Sequence, residues 1–508
     1  MSVATNHYNL IVLGGDLAGL VAAALAANRG LRVLVIPTRP ITGTYSLGGR
    51  AMPIDPVPLV QLDSPAVRRS CEELGLWPQI RRALQPAAAR THWVTDGHRL
   101  DIELGAKNLA REAAREWPDV DVMAAWHRFI EQVQTVNPVF EDLLGSGEQV
   151  PTAERFWTRR FLDRTASRLP RADFDLWAPV TRGHPLASVS DAVTSAISDL
   201  SPESLGAGAK IRLLSQWHRG PFDRMGGLAG LRELLITRIR LKSGEVKSGL
   251  RVADVLLKRG RVVGIQLLGK TDRYGCDHLV LAEDPRSLVG GAWLAEHLPR
   301  PLARSLAGID VTACRFVMNL TVEPRGLGPG LDGLAVWAPR VVAPGKRPPL
   351  GATMIRRSDP LDDGAYQLSV STLVAPGASL DDQAERLLEE LEDQGVLPWL
   401  RRHIRVMHSP HDGLPARDGH GRVAPGVGAN TAMRLPMSAL FRGDTSGALG
   451  VGLLPAVSGA RNLHLASRLT LPGLGVEGEF VAGLGVASVV APPKRPTFGR
   501  TLFLGRGR

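Results

Sequence analysis

The stretch "YNLIVLGGDLAGLVAAALAANRGLRVLVI", residues 8 to 36, constrains the fold more than any other part of the chain. A run of β-favouring apolar residues ends in two glycines, an alanine-rich helical segment follows, and Gly30 stops it before a second apolar run, "LRVLVI". Strand, glycine turn, helix and strand make a βαβ unit, so the two strands are expected to be parallel neighbours with a right-handed crossover. Small residues at Ala18, Gly19, Ala22 and Ala23 let the helix lie close against the sheet. The apolar helix ends at Asn28 and Arg29, short of the roughly 20 residues that span a bilayer, and reads as a buried helix.

A chain of 508 residues is too long for one simple core, so two domains or one elaborated domain are expected. After a glycine- and proline-rich loop over 37 to 60, residues up to about 220 read mainly as helices, with "MAAWHRFIEQVQTV" and "PTAERFWTRRFLDRTASRL" as examples. From 221 the pattern changes to a glycine-punctuated helix, a hairpin turning at Lys258 to Arg261, and a buried strand in "HLVLAEDP". Strand-rich sequence follows, then one charged helix, "SLDDQAERLLEELEDQG", before glycine-rich apolar sequence returns.

The glycine turn invites comparison with the dinucleotide fingerprint. There a first glycine makes the turn, a second admits the pyrophosphate, and a third allows close helix–strand packing. Gly14 and Gly19 hold the first and last places, Asp16 the middle one, and Gly15 precedes it. A carboxylate at that place repels phosphate unless it turns away. The acidic residue expected at the end of the second strand is replaced by Pro37, whereas Arg39 nearby is able to meet a phosphate. At the other end of the chain, "NLHLASRLTLPGLGVEGEFVAG" reads as a strand, a loop and a helix from about Val476, with Gly473 and Gly475 near the helix N-terminus. The positive end of a helix dipole suits an anion or a reduced flavin there.

Four segments in order resemble the flavoprotein superfamily of phytoene desaturases, retinol saturases and flavin amine oxidases. They are the opening βαβ unit, "LGGRAMPID", the 221–285 helix–hairpin–strand region, and the C-terminal strand–loop–helix. The resemblance implies an α/β fold: a discontinuous Rossmann-like FAD-binding domain (1–90, 216–304 and 456–492) and a second, α+β substrate domain (91–215 and 305–455). It implies FAD as cofactor, with Gly14, Gly15 and Gly19 at the pyrophosphate and Gly48, Gly49 and Arg50 in the loop after the second strand. Val252 would offer its backbone to the adenine, and Gly473, Gly475 and Val476 would face the isoalloxazine. Asp16, Pro37, Val57 and Ser467 depart from the family's pattern at cofactor contacts. The implied activity is FAD-dependent oxidation or saturation of a carbon–carbon bond in an apolar, isoprenoid-like substrate, with no particular side chain marked as catalytic. A flavoprotein-like scaffold without redox activity, and an amine oxidase, are the alternatives.

Three scattered cysteines, Cys71, Cys276 and Cys314, argue against a disulfide framework or zinc site. With no signal-peptide pattern at the N-terminus, they suggest a cytoplasmic protein. The formal charge of +11 is spread as arginine along the chain, and nothing resembles a nucleic-acid module. Basic and apolar residues do interleave in the tail, 493 to 508, which allows peripheral attachment to an anionic membrane. "HSPHDGLPARDGHGR", residues 408 to 422, gathers imidazoles and carboxylates but reads as an exposed loop bordering the substrate pocket rather than a metal site. Tryptophans such as Trp126 and Trp177 read as packing residues first and as pocket lining second.

Overall fold

In the computed structural model, β1 (Asn6–Leu13) and β2 (Val33–Ile36) pair in parallel from Leu10 opposite Val33 to Leu13 opposite Ile36, with α1 (Leu17–Asn28) between them. The structure describes residues 6–83, 90–95, 97–146, 150, 156–170, 175–177, 184–220, 227–269, 273–289, 296–327, 331, 333–338, 350–380, 382–427, 431–445, 449–455, 458 and 461–493. The basic tail beyond 493 lies outside them.

The first sheet is assembled from distant parts of the chain. β10 (Arg273–Leu281) runs parallel to β1, with Leu10 opposite His278 and Leu13 opposite Leu281. The short β17 (Leu463–Leu465) adds to β10, and β7 (Glu245–Val246) adds to β2. The hairpin β8 (Val252–Lys258) and β9 (Arg261–Leu267) joins antiparallel to β10. Strand order β7-β2-β1-β10 reverses direction of travel between β1 and β10. In a doubly wound sheet a ligand crevice opens at such a point, beyond the C-terminal strand ends.

A second sheet runs in the order β15-β11-β14-β13-β12-β5-β6, with β16 added to β11. Its centre is the long antiparallel pair β11 (Asp310–Val322) and β14 (Tyr366–Val374), in unbroken register from Cys314–Val374 to Val322–Tyr366. β15 (Ile404–His408) and β16 (Ser438–Arg442) flank β11. β13 (Thr353–Pro360) and β12 (Leu334–Trp337) continue the sheet to β5 (Arg90–Thr95) and β6 (His98–Glu103). The helices read between 120 and 220 are present as α2 (Val122–Gly145), α3 (Phe156–Ala166), α4 (Pro185–Ile197) and α5 (Ala207–Arg219). α6 (Gly227–Leu241) packs on α1, and α7 (Gln383–Asp393) is the charged helix, its Leu387, Leu388 and Leu391 buried.

Within the loop expected over 37 to 60 the chain makes a small hairpin, β3 (Thr44–Leu47) and β4 (Arg50–Pro53). Gly48 and Gly49 both take positive φ, 56° and 78°, as a two-residue hairpin turn compatible with strand twist requires. Trp126 packs edge-on to His218 with centroids 4.6 Å apart, and Trp177 stacks on Phe129, so these rings serve packing.

α1 is buried from Leu17 to Ala27 because sheet, α6 and the last helix, α8 (Gly475–Val490), surround it. The segment Pro472–Val490 is long and apolar enough to cross a membrane by composition, yet it is almost wholly buried inside the protein. Its apolarity serves the contact with α1. Gly483 makes that contact close: a Cβ there would lie 2.8 Å from Cβ of Val21. The variant Gly483→Val should therefore lose about 3 kcal/mol of stability through overpacking, seen as a lower urea midpoint; an unchanged midpoint would show that the two helices can separate freely.

Candidate functional site

The C-terminal ends of β1, β2, β10 and β17 lead into Gly14, Pro37, Ala282 and Ala466, and a groove of about 480 Å³ opens beside them. Its charged side is made by Asp16, Arg39, Glu283 and Arg468, and its apolar wall by residues that include Val311, Leu435, Met437 and Phe441. A smaller cavity adjoins it, shared by Arg39 and Arg468 with Asp55 and Arg232. One crevice thus offers a strongly polar end and an apolar flank.

The charges form one network. Asp16, only 1% exposed, lies 3.4 Å from Arg39 on one side and 3.4 Å from Arg468 on the other, and it accepts the Arg468 backbone N–H at 3.2 Å. Arg468 also lies 3.6 Å from Asp199 and 4.0 Å from Asp55. Arg39 is 3.8 Å from Glu283. Arg315 closes the far side by donating to Asp199 at 2.8 Å and to the carbonyl oxygens of Ser195 and Ser198. Burial works against the charge of Arg468, yet Asp199, Asp16, Glu479 and Asp55 hold its pKa well above the ordinary arginine value. Burial pulls Arg232 the other way, assisted by the like charges of Arg468 and Arg39. Burial also opposes ionisation of Asp55, but Arg315 and Arg468 outweigh it and keep that carboxyl low.

The donors of the glycine turn are already taken. Gly14 N–H donates to the Ile36 carbonyl at 2.9 Å and Asp16 N–H to that of Ala282 at 3.1 Å. Gly15 N–H donates to Glu283 Oε1 at 2.7 Å, and Ala18 N–H, in the first turn of α1, to Glu479 Oε2 at 3.2 Å. Thr38 donates to the other oxygen of Glu283. Carboxylates of the chain itself therefore sit at the positive end of α1, where a phosphate sits in the dinucleotide fingerprint.

The guanidinium side differs. The closest carboxylate contacts of Arg39 and Arg468 are 3.4 Å, longer than the roughly 2.8 Å of a good charge-assisted hydrogen bond. Among the described residues, Arg232 Nε is buried with no hydrogen-bond partner, and Arg468 Nε faces Asp16 Oδ1 at 3.4 Å without hydrogen-bonding to it. Orphaned buried donors beside a cavity are what a missing acceptor leaves behind. A diphosphate-bearing cofactor thus fits the arginine side of the crevice, while the turn amides have no free donor for it at Gly15 or Ala18.

Of the sequence-derived residues, Gly14, Gly15, Gly19 and Arg39 lie at this crevice or directly behind it. A Cβ on Gly19 would overlap that of Ala282, which fits its packing role. Gly48, Gly49 and Arg50 are not brought to it. They form the tip of the β3–β4 hairpin, where Gly48 neighbours Val427 and Arg50 lies 3.8 Å from Asp363. Val252 starts β8, two strands beyond β10. Gly473, Gly475 and Val476 are buried by protein rather than turned to an open space. Gly473 N–H donates to Val451 O at 2.8 Å, the Ile197 carbonyl roofs Gly475, and Gln61 Oε1 accepts the N–H of Glu477 at 3.0 Å. The physical reason is a second buried ion pair: Glu477 accepts from Arg212 at 2.7 Å and from Gln216 at 2.9 Å, drawing α5 over the N-terminus of α8.

Sequence reasoning missed Arg232, Glu283, Arg468 and Glu479. Their signal was present: charged residues inside the otherwise apolar runs "GLAGLRELL", "LVLAEDP", "HLASRLTL" and "GVEGEFVAG", where an unpaired charge is costly. The 408–422 loop also differs from its expectation of exposure. His408, His411 and Asp412 are buried, with His408 bonded to the Tyr45 hydroxyl and the Thr431 carbonyl, and His411 to the Leu435 carbonyl. These bonds pin the loop, although His411 Nε2 has no hydrogen-bond partner among the described residues, and there no group of three metal-ligating side chains converges.

Burial and the neighbouring Asp16 push Glu479 from 4.5 up to about 7, against the pull of Arg468 and Arg232. The folded state then keeps a proton that the unfolded chain has already released, so stability falls as pH rises from about 4.5 to about 7. Glu479→Gln retains an acceptor for Ala18 and should flatten that slope, by about 3 kcal/mol at most. Urea unfolding at both ends of the window checks this; equal slopes in the two proteins would contradict it.

No family model and no curated protein matches the chain. Solved structures do. Putrescine oxidase bound to putrescine shares 15% identity over 96% of this chain and 99% of that one, with a TM-score of 0.54. An oxidoreductase from Methanosarcina mazei shares 16% over 94% of this chain and 99% of that one, at 0.53. A protein from Pyrococcus furiosus shares 13% over 95% of this chain and 97% of that one, at 0.54. The chain has the fold of these proteins, two of them oxidoreductases, as the resemblance implied.

Proposed function

We propose that the chain is an FAD-dependent oxidoreductase whose flavin nucleotide occupies the crevice beyond β1, β2, β10 and β17. The observation that carries this reading is the crevice itself. It lies at the reversal point of a doubly wound sheet, with arginines at one end and an apolar wall along its side. The fold shared with a putrescine oxidase and an archaeal oxidoreductase supports it. Arg39 and Arg468 would hold the diphosphate, and Val311, Leu435 and Met437 would shelter the less polar part of the group. When bound, FAD supplies a two-electron, hydride-accepting centre.

The substrate in this reading is apolar and isoprenoid-like, oxidised or saturated at a carbon–carbon bond. It is presented by a second, substrate-binding domain built from 91–215 and 305–455. This chain's own part is to exclude water and orient the substrate: one flank of the crevice is apolar, and Asp16, Arg39, Glu283 and Arg468 at its polar end are paired among themselves. Oxidation of an amine is the variant of this reading that the putrescine oxidase fold supports.

A second reading is favoured by a specific observation. Carboxylates hold the turn amides and Ile197 roofs Gly475, as expected of a flavoprotein fold kept as a binding subunit without redox activity. Absorbance separates the two. The purified protein, incubated with FAD and freed of excess, should retain flavin bands near the visible range; a colourless protein after that treatment would select the second reading. Attachment to anionic lipid through residues 493–508 is a further part of the proposal. Deleting those residues should abolish sedimentation with phosphatidylserine vesicles, and equal sedimentation would remove it.

A further inference from the structure

We propose that Arg39, Arg232 and Arg468 form a diphosphate-recognition site that takes over the task of the glycine turn, with Asp16 as a resident carboxylate that the incoming phosphate displaces. The inference rests on the reading that the crevice takes a phosphate-bearing cofactor.

Three separate elements supply the site. Arg39 follows β2, Arg232 projects from α6, and Arg468 follows β17; all three line a small cavity of about 30 Å³, and Arg39 and Arg468 also line the adjoining groove of about 480 Å³, which has the room for a diphosphate. Arg232 is 9% exposed and Arg468 7%; among the described residues Arg232 Nε has no hydrogen-bond acceptor, and Arg468 Nε has Asp16 Oδ1 at 3.4 Å without a hydrogen bond to it. A buried guanidinium kept charged by carboxylates 3.4 to 4.0 Å away is compensated electrostatically, yet its donors remain short of hydrogen bonds. Oxygens of a diphosphate would supply them, because a planar fork of donors matches phosphate geometry.

Asp16 explains both how the site stays folded when empty and why its departure from glycine is tolerated. Its carboxylate stands between Arg39 and Arg468 at 3.4 Å from each. It is a weak internal anion in the place of a stronger external one. Asp16 and Arg468 then act as one device: the negative charge in the turn is met by a positive charge from the C-terminal segment.

The turn amides fit the same account. Glu283 and Glu479 hold Gly15 and Ala18 N–H, so phosphate recognition cannot rely on them and must come from side chains. The prediction is opposite in sign at the two kinds of residue. Asp16→Asn removes the competitor and should tighten binding about tenfold, a modest share of what a neighbouring charge can contribute. Arg39→Gln, at a side chain one-third exposed and so safe for folding, should weaken binding about tenfold.

Titration calorimetry on the full chain tests this with FAD, ADP and inorganic pyrophosphate, and circular dichroism confirms that each variant is folded. Opposite shifts for Asp16→Asn and Arg39→Gln with FAD support the inference. Should FAD fail to bind while ADP or pyrophosphate binds with those same opposite shifts, the arginine site stands and the flavin reading falls. FAD binding that neither substitution alters overturns the site and leaves the flavin reading intact. Absence of binding by all three probes overturns both.

Discussion

The Asp16 carboxylate, buried between Arg39 and Arg468 at the mouth of α1, is the interaction on which the arrangement of the crevice depends. An unpaired carboxylate there would have no counterpart, and unpaired guanidiniums would be equally costly. The network avoids both by drawing its members from the ends of β1, β2 and β17, so that forming it requires the N-terminal βαβ unit and the C-terminal segment to meet. A pairing across 452 residues of sequence, Asp16 with the Arg468 backbone, fixes the first and last parts of the sheet in one place. The same meeting is made on the apolar side by α1 and α8, where Gly483 lets the helices approach.

The electrostatics of this centre and the packing around it act together. Low dielectric makes each ionic contact stronger and each missing one more expensive. Five carboxyl groups (Asp16, Asp55, Asp199, Glu283, Glu479) face four guanidinium groups (Arg39, Arg232, Arg315, Arg468). Burial and Asp16 raise the pKa of Glu479 to about 7, which lessens the excess of carboxylate charge near neutral pH. Such a centre has little need of an added negative charge unless one of its own leaves, which is why Asp16 has a part in ligand entry rather than in scaffolding alone.

Much of the first sheet was legible in sequence because its strands are short, apolar and bounded by glycines, and because the helix at 17–28 is uniformly small and apolar. The hairpin at Lys258 to Arg261, the charged helix from Gln383 and the strand at 463–465 all formed where their patterns placed them. Three features were not legible. The hairpin at 44–53 is too short for its period to stand out from a glycine-rich loop. The burial of His408, His411 and Asp412 depends on partners such as Tyr45 and Leu435 that only tertiary structure supplies. The placement of Gly475 beneath Ile197 follows from the Arg212–Glu477 pair, whose members stand 265 residues apart. Local pattern carries no information about which distant charge meets which, and for that reason Arg39 was found while Arg232 and Arg468 were not.

The central claim is that the crevice beyond the parallel strands is an anion-holding cofactor site built from side chains. A crystal structure of the protein grown with FAD tests it most directly. The account predicts diphosphate density between Arg39 and Arg468, with the Asp16 carboxylate moved off at least one of them. Density for the diphosphate on the Gly15 and Ala18 amides, with Glu283 and Glu479 swung away and the three arginines uninvolved, would contradict it.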